Sequence, residues 1–222
     1  MLLEERAPKV VRSLLDLLYP PRCGGCRRFG AGWWCAACDK QTACLSGEHA
    51  LSTRQTDASH TVQIISACAF QEPLQSAIHR FKYEGQPQLH TALSAHMIRA
   101  WQSHSKPDDI LVPVPLHTGR KRERGFNQSE LLARDVATAT HAPMSTKLLS
   151  RTRNTDQQAH LAMLERKANV RGAFVAQGNL VRGKCIVLVD DVLTTGATLC
   201  ECVDALYVAG ASDVVALTLA RA

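Results

Sequence analysis

This chain predicts an α/β fold, a parallel sheet flanked by helices with a small cysteine-rich module in front of it, within 222 residues. Three observations carry that expectation. Ile186, Val187, Leu188 and Val189 form an unbroken apolar run that ends on two adjacent carboxylates, Asp190 and Asp191. Such a run reads as a strand buried on both faces of a parallel sheet. Further apolar runs at 61–70, 110–115 and 213–220 alternate with stretches of helical periodicity, the order expected when helices connect parallel strands. Near the N-terminus, Cys23 and Cys26 form one Cys-x-x-Cys unit and Cys35 and Cys38 a second.

The composition narrows the classes. A hydrophobic fraction of 45% is ample for a core, and no apolar run approaches the length of a membrane span. Residues 1–18 are amphipathic, with Glu4, Glu5 and Asp16 interspersed, which is not the form of a signal peptide. Nine cysteines, four of them in paired units, suit a reducing cytoplasm and a metal site better than a disulfide scaffold. The net charge is +6, and residues 117–171, with eleven Lys/Arg against five Asp/Glu, carry a surplus of that size. Concentrated positive charge implies an anionic partner, phosphate groups or nucleic acid.

Taken in order, residues 9–18 read as a short helix stopped by Pro20 and Pro21. Cys23, Cys26, Cys35 and Cys38 can supply four thiolates in a tetrahedron, the closed geometry of structural zinc, and predict a zinc knuckle at one metal per chain. Trp33 and Trp34, beside Arg22, Arg27 and Arg28, either stack on bases or pack against the first helix. Cys44 is left over, and residues 46–60, polar with His49 and His60, read as a linker. The organisation is thus an N-terminal helix and zinc knuckle over 1–50 and a main domain over 61–222.

Within the main domain, 61–70 is the first strand, and Pro73 opens a helix with Leu74, Ile78 and Phe81 on one face, closed by Lys82 to Gly85. A second helix carries Leu89, Leu93, Met97 and Trp101. Pro113 and Pro115 put the end of the next strand at a sheet edge or a tight functional turn. Residues 116–126 form a basic, glycine-containing loop, a seat for pyrophosphate. Asn127 and Glu130 have capping-box spacing for the following helix. Residues 148–150 begin a strand that runs into a polar, mobile loop holding Arg151, Arg153, Thr155 and Gln157, and Leu161 and Leu164 mark another helix. After Asp191, Thr194 or Thr195 caps the last helix, and Gly196 lets the backbone approach a ligand. A helix N-terminus beside two carboxylates suits a sugar phosphate: the turn holds the phosphate, the carboxylates accept from ribose hydroxyls. A Walker-type ATPase is set aside because no Gly-x-x-x-x-Gly-Lys-Ser/Thr segment occurs.

The stretch from Ile186 to Thr198 resembles the phosphoribosyl pyrophosphate (PRPP) loop of type I phosphoribosyltransferases. With the cysteine knuckles, Val112-Pro113-Val114-Pro115, Arg124-Gly125-Phe126-Asn127-Gln128 and Arg151-Thr152-Arg153-x-Thr155-x-Gln157-Gln158, nearly the whole chain resembles the ComF family of competence-associated, phosphoribosyltransferase-like proteins. The resemblance implies a type I phosphoribosyltransferase-like sheet with 61–109 as the hood that chooses an acceptor. It implies that Asp190 and Asp191 hold the ribose and that Val192, Thr194, Thr195, Gly196, Ala197 and Thr198 cradle the 5′-phosphate. Arg120 and Lys121 would face the pyrophosphate. Arg151, Arg153, Thr155 and Gln157 would close over the reacting centre, the two arginines counting with the aspartates as catalytic. Mg2+ would accompany PRPP, and single-stranded DNA and other competence proteins are further implied partners. The main reading is phosphoribosyl transfer to an unidentified acceptor in DNA uptake. The second is a non-catalytic single-stranded-DNA-binding protein that keeps the PRPP site as a sensor. Residues 61–109 show no diagnostic purine, pyrimidine or amide-donor signature.

Overall fold

The computed structural model describes residues 20–45, 48–53, 60–153 and 172–222. The helix expected at 9–18, the one carrying Leu161 and Leu164, and the loop positions Thr155 and Gln157 lie outside the described residues.

Seven strands are described: β1 (Glu48–Thr53), β2 (His60–Ala69), β3 (Asp109–Pro113), β4 (Leu149–Arg151), β5 (Phe174–Ala176), β6 (Cys185–Leu193) and β7 (Asp213–Arg221). The helices are α1 (Ala36–Gln41), α2 (Leu74–Tyr83), α3 (His90–Trp101), α4 (Thr118–Arg124), α5 (Gln128–Thr140), α6 (Gly178–Val181) and α7 (Ala197–Val208). The main sheet has the order β1-β2-β7-β6-β3, parallel throughout except for β1, which runs antiparallel to β2. β4 and β5 form a separate antiparallel pair. No helix among the described residues is long and apolar enough to cross a membrane.

The run that predicts the parallel sheet is buried on both faces, as its composition requires. Val187 and Val189 pack with Phe81 of α2, Met97 and Trp101 of α3, and Leu132 of α5. Ile186 and Leu188 point the other way, into Leu199, Val203 and Leu206 of α7 and Phe174 of β5. None of the four is more than 1% exposed, and each such side chain contributes about 1.5–3 kcal/mol by leaving water. The stripe Leu89, Leu93, Met97, Trp101 is likewise core.

Four expectations are corrected. Residues 46–60 are not simply a linker, because β1 lies within them and covers the outer edge of β2, where backbone groups would otherwise lack partners. Its polar composition hides it from a hydrophobic pattern. The basic loop at 116–126 contains α4, closed by Gly125 in the left-handed conformation at φ 80° and opened by His117, whose Nδ1 accepts from Gly119 N–H. Lys, Arg and Glu are good helix formers, so charge alone did not make this a loop. Asn127 does cap α5 by accepting from Ser129 N–H at 3.2 Å, but Glu130 turns to Lys121 and Arg134 instead of reaching back, so there is no reciprocal box. β6 continues past the carboxylates to Leu193, and the residue at the start of α7 is Gly196, not a threonine. Thr195 Oγ1 accepts from Ala197 N–H at 3.4 Å. Of the two alternatives open for Trp33 and Trp34, the structure takes packing: the side chains are half-buried against the core, Trp34 edge-on to His96, so they do not offer a free stacking platform.

The cysteine module is docked on the main domain. The Arg80 guanidinium of α2 donates to the carbonyls of Gly24 and Gly25. A Cβ at Gly24 would come within 2.5 Å of Leu89, and one at Gly25 within 2.8 Å of the Cys38 sulfur. Both glycines are therefore demanded by close approach.

Candidate functional site

One pocket opens over the end of β6 and gathers residues from several elements. It is lined by Asp190, Asp191 and Val192 of β6, by Thr194, Thr195 and Gly196 of the turn, and by Ala197, Thr198 and Leu199 of α7. Val114, Pro115 and Leu116 follow β3, Arg120 and Arg124 come from α4, and Gln128 and Ser129 from α5. Arg151 enters from β4, while Phe70 and Lys82 come from β2's exit and the end of α2. Gly196, at φ 75°, takes the left-handed turn that starts α7 beside this space, and the N–H groups of a helix's first turn have no partner within the helix. Those donors and the positive end of the helix dipole favour an anion there.

The carboxylates differ in environment. Asp191 is buried and meets the Lys82 ammonium at 2.7 Å. Asp190 Oδ1 accepts from Ser129 Oγ–H at 3.0 Å and from the Asp191 N–H at 2.9 Å. Burial, then the neighbouring Asp191 charge, pushes the Asp190 carboxyl from its ordinary 3.8 up to about 7, with Lys82 opposing. Arg151, also lining the pocket, is lowered by burial, and its guanidinium stacks over Phe174 at 5.4 Å.

These values set a pH dependence. A carboxyl whose folded pKa lies above its unfolded one binds its proton more tightly in the fold, so the stabilisation is present in acid and is lost as pH rises from about 4 to about 7. We expect free-protein stability, measured by chemical denaturation, to fall across that interval. In Lys82→Met the fall should extend to higher pH, because the opposing cation is gone. Superimposable stability profiles for the two proteins would remove Lys82 from this account.

Not every anticipated residue joins the pocket. Lys121 does not line it and pairs with Glu130 at 3.1 Å. Arg153 is exposed and is not among the lining residues. Lys82, Ser129, Arg124 and Gln128 were not anticipated as site residues. Arg124, Gln128 and Ser129 flank the Gly125-Phe126-Asn127 turn, and that signal could have found them. Lys82 carries no local signal beyond closing a helix.

The four knuckle cysteines converge separately. Their sulfurs lie within 4.8 Å of one another, with Cys23 to Cys38 at 3.6 Å and Cys26 to Cys35 at 3.7 Å. Four sulfurs about 2.3 Å from a tetrahedral zinc stand about 3.8 Å apart, so the donor set fits that ion. The Cys38 N–H, donating to the Cys35 sulfur, leads the effects that lower Cys35 to about 6, favouring thiolate. Cys44 stands apart from this set.

Comparison with known proteins agrees with this architecture. A family model described as the phosphoribosyl transferase domain matches residues 128–222. DNA utilization protein YhgH of Escherichia coli is 33% identical over 165 residues, covering 72% of each chain. Competence protein F of Haemophilus influenzae is 30% identical over 158 residues, 68% of this chain and 69% of the relative. Competence protein ComFC of Bacillus subtilis is 32% identical over 149 residues, 66% of this chain and 59% of its own. Among solved structures, a glutamine PRPP amidotransferase from B. subtilis overlaps 59% of this chain at 23% identity and a TM-score of 0.40. The overlap spans 26% of that longer chain. A parallel sheet with helices on both faces and the matched domain over its C-terminal half make this a protein of phosphoribosyltransferase fold. The chain belongs to the ComF family, alongside Competence protein F and DNA utilization protein YhgH.

Proposed function

We propose that this protein binds PRPP with Mg2+ in the β6–α7 pocket and transfers the phosphoribosyl group to an acceptor, in the setting of DNA uptake in the cytoplasm. The observation that carries this reading is the convergence of Asp190, Asp191 and an open helix N-terminus with Lys82, Arg120, Arg124 and Arg151 in one pocket. The turn from Thr194 to Thr198 would take the 5′-phosphate, and the two carboxylates the ribose hydroxyls. Displacing pyrophosphate from the anomeric carbon builds positive charge on the sugar and negative charge on the leaving group. Arg120, Arg124 and Arg151 would offset the latter, and the carboxylates the former. Mg2+, when bound, would add Lewis-acid neutralisation of the pyrophosphate. Arg151 and Arg153, with Thr155 and Gln157, would belong to a segment that closes and excludes water from PRPP. Residues 61–109, expected as the hood, contribute Phe70 and Lys82 and so would border the acceptor. Zinc in the Cys23, Cys26, Cys35, Cys38 cluster would be structural.

Calorimetric titration with PRPP, with and without Mg2+, tests the reading. Mg2+-dependent binding that strengthens as pH rises through about 7, as Asp190 ionises, is the expected result. Absence of binding by folded protein would leave the pocket without its ligand and end the proposal.

A second reading is binding of single-stranded DNA with the PRPP site as a sensor, and it starts from relatives named for competence and DNA utilization. The packing of Trp33 and Trp34 removes one support for it. Phe29 remains exposed, with the Arg22 guanidinium 3.8 Å over its ring, a pair suited to stacking on a base.

A further inference from the structure

Cys44, the cysteine that the knuckle leaves over, has partners from two other elements. It faces Cys68 of β2 across an antiparallel bridge. The bonds Leu45 N–H to Ala67 O and Ala69 N–H to Ala43 O flank the pair at 2.9 Å. Cys44 and Cys68 are therefore a non-hydrogen-bonded pair, the arrangement in which opposed side chains stand closest. His96, one turn before the end of α3, brings a ring nitrogen to them: it and the two sulfurs lie within 4.8 Å of one another. The His96 side chain is 1% exposed. Its Nδ1 accepts from the Arg99 guanidinium at 2.7 Å, and its buried Nε2 has no hydrogen-bond partner among the described residues. Asp39 Oδ1, on α1 of the cysteine module, stands 3.6 Å from that Nε2.

We propose that Cys44, Cys68 and His96 form a second metal site, separate from the four-cysteine cluster, that takes a thiophilic d10 cation such as Zn2+. Two thiolates and an imidazole are the soft and borderline donors that select such ions over Mg2+ or Ca2+. Shifts of less than about 1 Å would bring these atoms to the spacings of a tetrahedral zinc. Three protein ligands leave a fourth position for the Asp39 carboxylate or solvent. Binding releases the two thiol protons to solvent and places the cation on one ring nitrogen, with the proton on the other. Arg99, half-exposed and 3.5 Å from Asp39, is then free to move onto that carboxylate. The ligands come from a loop, a strand and a helix, not from a repeated Cys-x-x-Cys. The ion would tie the cysteine module's exit to β2 and α3, which pack against the core beneath the PRPP pocket. Nothing in this proposal depends on PRPP binding.

The test uses the full chain purified in reductant, metal content by mass spectrometry, and alkylation of Cys44, which is exposed. Two zinc ions per chain are expected, falling to one in Cys44→Ser and, independently, to one in Cys23→Ser with Cys26→Ser. In the zinc-loaded protein Cys44 should resist alkylation and become reactive after chelation. Cobalt substitution of the Cys23/Cys26 variant should still show thiolate-to-metal charge-transfer absorption, lost on adding Cys44→Ser. One zinc in wild type, unchanged in Cys44→Ser, would overturn the site. So would a Cys44 that alkylates at once, or one released by reductant and not by chelator, which would mean a disulfide with Cys68.

Discussion

Asp190→Asn combined with Asp191→Asn should abolish measurable PRPP binding while leaving the fold in place. Each carboxylate would no longer accept a charge-assisted hydrogen bond from a ribose hydroxyl, and such bonds contribute about 1.5–3 kcal/mol apiece, so affinity should fall by roughly 100-fold or more. The substitution preserves volume, and Asn Oδ1 can still accept from the Ser129 hydroxyl that now meets Asp190 at 3.0 Å. Above pH 7 two effects oppose each other: the repulsion between adjacent buried carboxylates is relieved, and the Lys82–Asp191 ion pair at 2.7 Å is lost, so the net change in stability should be small beside the loss of binding. Calorimetry with PRPP and Mg2+, beside a thermal melt at the same pH, reads both quantities. Unchanged affinity would remove the two aspartates from the site. Salt-dependent DNA binding that persists in the double variant would favour the second reading.

Loss of the knuckle should have the largest structural effect. Cys23→Ser with Cys26→Ser removes half of a four-sulfur set, and the free energy of structural zinc, about 10–16 kcal/mol in small peptides, is in effect folding free energy. Here the module is also held by Arg80 to Gly24 and Gly25 and by Leu89 and Pro73 against those glycines, so part of its order survives. The expected outcome is one metal fewer per chain and a melting temperature lower by on the order of 10 °C, a loss of a few kcal/mol in a chain this size. Hydrogen exchange should show residues 22–45 losing protection and β6 keeping it. Unaltered metal content would mean that these sulfurs hold no ion.

How much of this was legible beforehand differs element by element. Leu74, Ile78 and Phe81 announce α2 because a helix repeats its buried face every three to four residues, and all three are core. Residues 48–53 announce nothing, because a polar edge strand is defined by the partner it pairs with. Asp190 and Asp191 stand out beside an apolar run. Lys82, which meets Asp191 at 2.7 Å, looks like any lysine at a helix end. Ser129 reaches Asp190 across 61 residues, a contact with no local periodicity behind it.

By itself the sequence determined the α/β class, the central strand, the four-cysteine spacing and the carboxylate–threonine–glycine turn. Each is encoded by neighbours in the chain, through periodicity, backbone freedom or ligand spacing. Only the tertiary structure decided that Lys82 and Ser129 serve the carboxylates, that Lys121 turns to Glu130, and that Cys44 meets Cys68 and His96. Those groupings follow from strand order β1-β2-β7-β6-β3 and from which helix packs on which face, and these are fixed by the burial of the whole core at once.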